Sequence, residues 1–168
     1  MVAKTISEIR ELSLPAELHT GASISHNCWP LALSMYELWK GKSADNKVAP
    51  DWRSLSPSEI SEALPLVSIF DVNQVPFLLK CRLMGTAFAE AIGFDATGDD
   101  VRDIAGSEAL MMRASWVVEN IEPLMLVGLP LVWSPEKSYK TYDTLCLPFI
   151  NKSNEVDTIL YLNQFHAS

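Results

Sequence analysis

Histidine, cysteine and paired acids are the side chains from which this chain would have to build a reactive site, and their spacing gathers none. His19 and His26 fall in a polar N-terminal region and His166 near the C-terminus. No clustered Cys/His set therefore offers the ligands of a zinc site. None of the three lies in the helical middle of the chain, where a proximal haem ligand would be wanted, so they read as exposed or terminal. Cys28, Cys81 and Cys146 are far apart with no CxxC pair. An odd, sparse set cannot complete a disulfide framework and fits a reducing compartment. Cys81 stands between Lys80 and Arg82, cations that lower a thiol pKa when they face it. Strand alternation turns both to the other face and leaves Cys81 a buried core thiol. No Gly-x-Ser-x-Gly elbow, GxGxxG turn or GxxxxGK[ST] loop is present. Asp99 and Asp100, beside Arg102 and Asp103, read as a solvated helix start favoured by the helix dipole. The expectation is no catalytic residue, no metal, no cofactor and no enzyme.

The 168 residues carry 13 Lys+Arg against 21 Asp+Glu, a net charge of −8. That balance argues against broad phosphate-backbone binding, so no nucleic acid is expected. With 48% hydrophobic and 20% charged residues, the composition is globular rather than disordered, and the length buries a real core. Residues 1–12 mix charge with apolar groups and lack the apolar stretch of a signal peptide. The longest apolar run without charge, residues 123–135, holds three prolines and falls short of the roughly 20 residues a membrane span needs. A cytoplasmic protein with no membrane partner is expected.

The elements follow from period and punctuation. Ile6, Ile9 and Leu12 suggest a short helix ending before Pro15, and residues 16–27 read as a polar connection. Residues 29–40 form a second helix, with Leu33, Tyr36, Leu38 and Trp39 apolar, Pro30 in its first turn and Gly41 ending it. Ser56-Pro57-Ser58-Glu59 is a capping-box start for a short helix stopped by Pro65. Residues 66–72 and 77–84 are β-type runs around a turn at 73–76. In the second, Leu79, Cys81 and Leu83 alternate with Lys80 and Arg82, the pattern of a half-buried strand. From Gly85 the period becomes helical, with Phe88, Ala89 and Ile92 closed by Gly93. Val101 and Ile104 mark a small helix after Asp99. Residues 109–121, apolar almost all round, form a helix packed on more than one side. Three β runs follow at 124–133, 139–149 and 156–165, separated by turns at 134–137 and 151–154. Helices, two strands, helices and a three-strand meander give an α+β fold with one five-stranded antiparallel sheet and flanking helices. A boundary at 55/56 separates an N-terminal helical extension, 1–55, from the sheet domain, 56–168.

That order is the order of PAS domains, and the residues resemble the bacterial PAS-like family called PAS_5. The likeness begins at residues 36–39 and continues through Pro50, Ser56-Pro57, Leu64-Pro65 and Asp71-Val72. Its strongest part is Arg82-Leu83-Met84-Gly85-Thr86 followed by Gly93-Phe94-Asp95-Ala96-Thr97-Gly98, and Leu147-Pro148 resembles the family's strand end. It departs after Pro148, where Phe149-Ile150-Asn151-Lys152 replaces a small acidic, glycine-containing turn. Gly85 would give the strand-to-helix change its backbone freedom, Thr86 would cap the next helix, and Arg82, Asp95 and Thr97 read as fold-supporting. The resemblance implies a PAS-like sensory or interaction module acting in signal transduction, with no kinase, cyclase or DNA-binding segment attached.

In the PAS arrangement the sheet curves around the short helices, which makes Leu79, Cys81, Leu83, Phe88, Ile92, Met112, Trp116, Trp133, Leu145 and Leu147 the candidate lining of a cavity for a small-molecule ligand. A signalling partner protein is the other expected partner, and the 29–40 helix would either cover the sheet or form a homodimer contact. Two alternatives stay open: an enzyme using the same cavity through Cys81, Asp143 or Tyr161, and a structural domain with a filled core. Flavin-adduct photosensors of this fold carry an Asn-Cys-Arg helix motif. The chain offers only Asn27-Cys28, followed by Trp29-Pro30.

Overall fold

The structure is a computed structural model and describes residues 4–43, 47–131 and 140–166. Helix α1 (Ile6–Ser13) is followed by strand β1 (Glu17–His19), helix α2 (Ala22–Asn27) and helix α3 (Pro30–Lys42). Three short 3-10 turns, Trp52–Ser54, Pro57–Ile60 and Leu64–Leu66, lead into strands β2 (Val67–Asn73) and β3 (Leu78–Met84). Helix α4 (Thr86–Ile92), a 3-10 turn at Val101–Asp103 and helix α5 (Glu108–Asn120) come next, then strands β4 (Leu124–Pro130), β5 (Thr141–Ile150) and β6 (Val156–His166).

The strands form one antiparallel sheet in the order β1-β4-β5-β6-β2-β3. All five expected strands are in it, the hairpin β2–β3 joining the meander β4–β5–β6 through β6, and the architecture is the expected α+β, PAS-like one. The sixth strand is a correction. Glu17-Leu18-His19 lies in the segment read as a connection and pairs with β4, Leu18 opposite Leu126. Three residues with one apolar member are too few for alternation to register. The same segment also yields α2, whose polar sequence hides it.

The sheet is covered on both faces. Tyr142 stacks on Phe165, and Phe165 meets Phe88 of α4 edge-on, so Tyr142, Thr144 and Cys146 of β5 point to an inner face under α4 and α5. The residues between them, Asp143, Leu145, Leu147 and Phe149, point to the outer face. There Phe149 meets Trp52 edge-on, Met125 touches Cys28 of α2, and the Trp39 indole of α3 donates to the Pro148 carbonyl at 2.7 Å. Thus α3 covers the sheet, burying Ala32, Met35, Tyr36 and Trp39. α1 packs on α5, which explains why α5 is apolar nearly all round. Elements from both sides of the 55/56 boundary share one hydrophobic core.

Helix ends follow local chemistry with two corrections. Thr5 and Glu8 close a capping box on α1, Gly93 ends α4 in the left-handed conformation at φ 93, and Pro30 opens α3. Thr86 does not cap α4; it is the first helical residue, and Gly85 occupies the cap position with no side-chain bond. The small helix is capped by Asp100, whose carboxylate accepts from the Arg102 amide at 2.9 Å, rather than by Asp99. The turn at 134–137 lies outside the described residues. Among those described, no helix is long and apolar enough to cross a membrane.

Candidate functional site

The ten candidate lining residues do not share one surface. Leu79 and Cys81 are buried on the inner face, where Cys81 pairs with Phe70, and Phe88 and Ile92 are buried on α4. Trp116 is buried on α5, while Met112 is half-buried and borders a surface cleft of about 390 Å³ together with Phe77 and Arg102. Leu145 and Leu147 are on the outer face, against the N-terminal layer, because the strand period places them opposite Cys146 and Tyr142. Leu83 is 39% exposed. The β2–β3 ladder shifts register between Ile69 and Phe70, leaving Arg82 as an extra residue. This bulge breaks the alternation, turns Leu83 away from Cys81 and lets Met84 take the buried position. Trp133 lies outside the described residues.

What the inner face does hold is a buried polar group that hydrophobic pattern reading passed over. Ser68 of β2 lies opposite Tyr161 of β6, Tyr161 lies opposite Cys146 of β5, and on the next rung Thr144 faces Asn163. All five are buried, none more than 7% exposed. The Asn163 amide donates to the Leu66 carbonyl at 3.1 Å, but the Ser68, Thr144 and Tyr161 hydroxyls have no hydrogen-bond partner among the described residues. The Tyr161 hydroxyl lies beside the Cys146 thiol, a weak donor, without completing a well-formed bond to it. Directly opposed side chains on one sheet face are neighbours, so the three unsatisfied hydroxyls lie on two adjacent rungs of the same face. Each costs about 1–3 kcal/mol if left dry. Polar residues at inward strand positions were the available signal, visible only once register was known.

A measurable consequence follows in the ligand-free protein. Ser68→Ala, Thr144→Val and Tyr161→Phe are each expected to leave stability unchanged or raise it by about 1 kcal/mol, since each removes an unpaired buried hydroxyl. Urea denaturation checks this. A loss above about 1 kcal/mol in all three would mean that the hydroxyls are hydrogen-bonded in solution.

Burial also sets the local titration. The Cys146 thiol is pushed up to about 12 and the Tyr161 phenol well above its ordinary value, both by burial first. Cys81 is raised to about 11 by burial, with Asp95 adding to the effect. Both thiols are protonated at neutral pH and offer no nucleophile. Asp143 is on the outer face, where its carboxylate accepts from the Gly128 amide at 2.9 Å, Gln164 at 3.2 Å and His166 Nε2 at 2.7 Å. Gly128 presents that amide from a bulge in β4 at φ +84, a conformation suited to glycine. Cys81, Asp143 and Tyr161 therefore belong to no common site. Cys28 is half-buried at the end of α2 on the outer side.

The motif residues make structural contacts. Arg82 clamps Asp71 through Nε at 2.7 Å and through Nη2, donates to Thr158 Oγ1 at 3.0 Å, and lies over the Trp52 ring. Asp95 accepts from the Thr97 amide at 2.9 Å and from its hydroxyl at 2.6 Å, bonds that hold its carboxyl below the usual range. Among the described residues, no group of three or more His, Cys, Asp or Glu side chains is placed to hold a metal ion.

No family model matches the chain, and no curated protein matches it. Among solved structures, an RNA-binding light-oxygen-voltage receptor is similar with a TM-score of 0.47 and 10% identity, over 89% of this chain and 38% of the receptor. A fungal LOV domain photoreceptor is similar with a TM-score of 0.45 and 11% identity, over 86% of this chain and 99% of that one.

Proposed function

We propose that this chain is a PAS-like sensory module of the bacterial PAS_5 type, which binds a small polar molecule between the inner face of the sheet and helices α4 and α5. Binding there is passed to a signalling partner protein through those helices and α1. The reading rests on one observation above the rest: three buried hydroxyls, on Ser68, Thr144 and Tyr161, lie on adjacent rungs of the inner face without a hydrogen-bond partner among the described residues. Buried polar groups are nearly always satisfied, and exceptions point to water or a ligand. The architecture and the Arg82–Gly98 motif region support the sensory class.

Native mass spectrometry of freshly purified protein, followed by denaturing mass analysis, tests the reading. The expected result is an added mass that disappears on denaturation and is weakened in a combined Ser68→Ala, Thr144→Val variant. A clean apo mass, with no thermal stabilisation by a metabolite set, would favour a domain whose core is filled. The native spectrum also reports whether the chain forms a homodimer.

A further inference from the structure

We propose that the cleft between the C-terminal end of α1, helix α5 and strand β4 binds a small carboxylate, with the Arg113 guanidinium as its charged anchor. This rests on the sensory reading above and names the class of ligand. Of the five arginines, Arg53, Arg82 and Arg102 are each paired with an aspartate, and Arg10 is exposed on α1. Arg113 differs from all of them. It is half-buried on α5 and has no ion pair or hydrogen bond among the described residues. A guanidinium drawn out of water without a counter-charge is costly, and the end of a helix as short as α1 supplies only a partial charge.

Arg113 lines a cleft of about 170 Å³ together with Ser13, Leu14, Ala109, Leu129 and Tyr142. Among the described residues, no acidic side chain lines it. Its positive charge acts inward on Tyr142, Cys146 and Tyr161, partly opposing the upward effect of burial on each. Tyr142 lies two residues before Thr144 on the same face of β5, so the cleft adjoins the buried hydroxyls. The planar fork of arginine matches a carboxylate in two parallel hydrogen bonds, and Leu14, Ala109 and Leu129 suit a short alkyl chain. The volume fits several waters or a small organic acid. A single cation in a chain of net charge −8 favours a monoanion, because a second negative charge would stay uncompensated.

Isothermal titration of the intact chain with acetate, propionate and butyrate tests the proposal, with propionamide as the neutral isostere and inorganic phosphate as the competing anion. Saturable binding of at least one acid and none of propionamide is expected. Arg113→Gln should weaken that acid roughly tenfold to hundredfold, while Arg113→Lys keeps part of the affinity. Near-UV circular dichroism checks that the variants fold. Should Arg113→Gln fail to fold, the selectivity of the unaltered chain for acid over amide decides alone. Absence of acid binding, equal binding of propionamide, unchanged affinity in Arg113→Gln, or tighter binding of phosphate than of every acid each overturns the carboxylate assignment. A neutral molecule in the native mass spectrum with no titrating acid overturns it too, and leaves the sensory reading in place.

Discussion

Gly85→Ala is expected to cost more than about 3 kcal/mol, or to prevent folding, although it adds a single methyl group. The backbone at Gly85 is ordinary, φ −60 and ψ 150, and any residue adopts it. Space is what forbids the change. A Cβ built there would lie 2.4 Å from the carbonyl oxygens of both Leu64 and Pro65 and 2.5 Å from the Pro65 carbonyl carbon. These are backbone atoms of the 3-10 turn at Leu64–Leu66 and cannot rotate away as a side chain would. The turn is tied in place, since the Gly85 amide donates to the Val67 carbonyl at 2.8 Å and Asn163 holds the Leu66 carbonyl. Moving it would disturb the start of β2 and the packing of α4 together. Against a typical stability of about 5–15 kcal/mol, such a displacement is a large fraction of the whole. Gly41→Ala is the control: its Cβ would meet nothing within 4 Å, and in a helix alanine is preferred by up to about 1 kcal/mol. Urea denaturation of the two variants should give opposite signs. A Gly85→Ala protein within about 0.5 kcal/mol of the parent would mean that the turn yields freely.

Gly85 illustrates how much the sequence made legible. Its importance was visible in the Arg-x-x-Gly-Thr pattern, but the reason assigned, backbone freedom, differs from the one found, close approach of a turn distant in the chain. Local features fared well: β-type runs between turn residues located β2 to β6, alternation marked β3, and Gly93 stopped α4. Features requiring two strands at once were out of reach. The Arg82 bulge exists only relative to Ile69 and Phe70, and it moved Leu83 to the surface. Leu145 and Leu147 looked like pocket lining because β5 is apolar along nearly its whole length. A strand buried on both faces has no alternation to reveal its inward side. Ser68, Thr144 and Tyr161 were invisible as a group for the same reason, being far apart in the chain and adjacent only through pairing.

Residues 56–168 expressed alone are expected not to form a folded monomer. The outer face carries Ile69, Leu145, Leu147, Phe149, Leu160 and Leu162, each at most 3% exposed, and the 1–55 segment provides much of its cover. Six large side chains at about 1.5–3 kcal/mol each amount to roughly 9–18 kcal/mol of burial. Even if the turns at Pro57–Ile60 and Leu64–Leu66 kept half of it covered, the loss would rival the total stability of a domain. Removing β1 would also expose the edge of β4, an invitation to pair with another chain. The Trp39 bond to Pro148 and the Pro50 carbonyl that accepts from the Ile150 amide at 2.9 Å would go as well. Gel filtration and amide dispersion of the fragment should show aggregate or a collapsed state without fixed packing. A dispersed spectrum with a cooperative melt would instead mean that the extension is a separable cover, free to move when the inner face is occupied. The first outcome would make the 1–55 segment an integral part of the fold and leave α4 and α5, on the side of the sheet where the buried hydroxyls and Arg113 are found, as the elements a ligand would move.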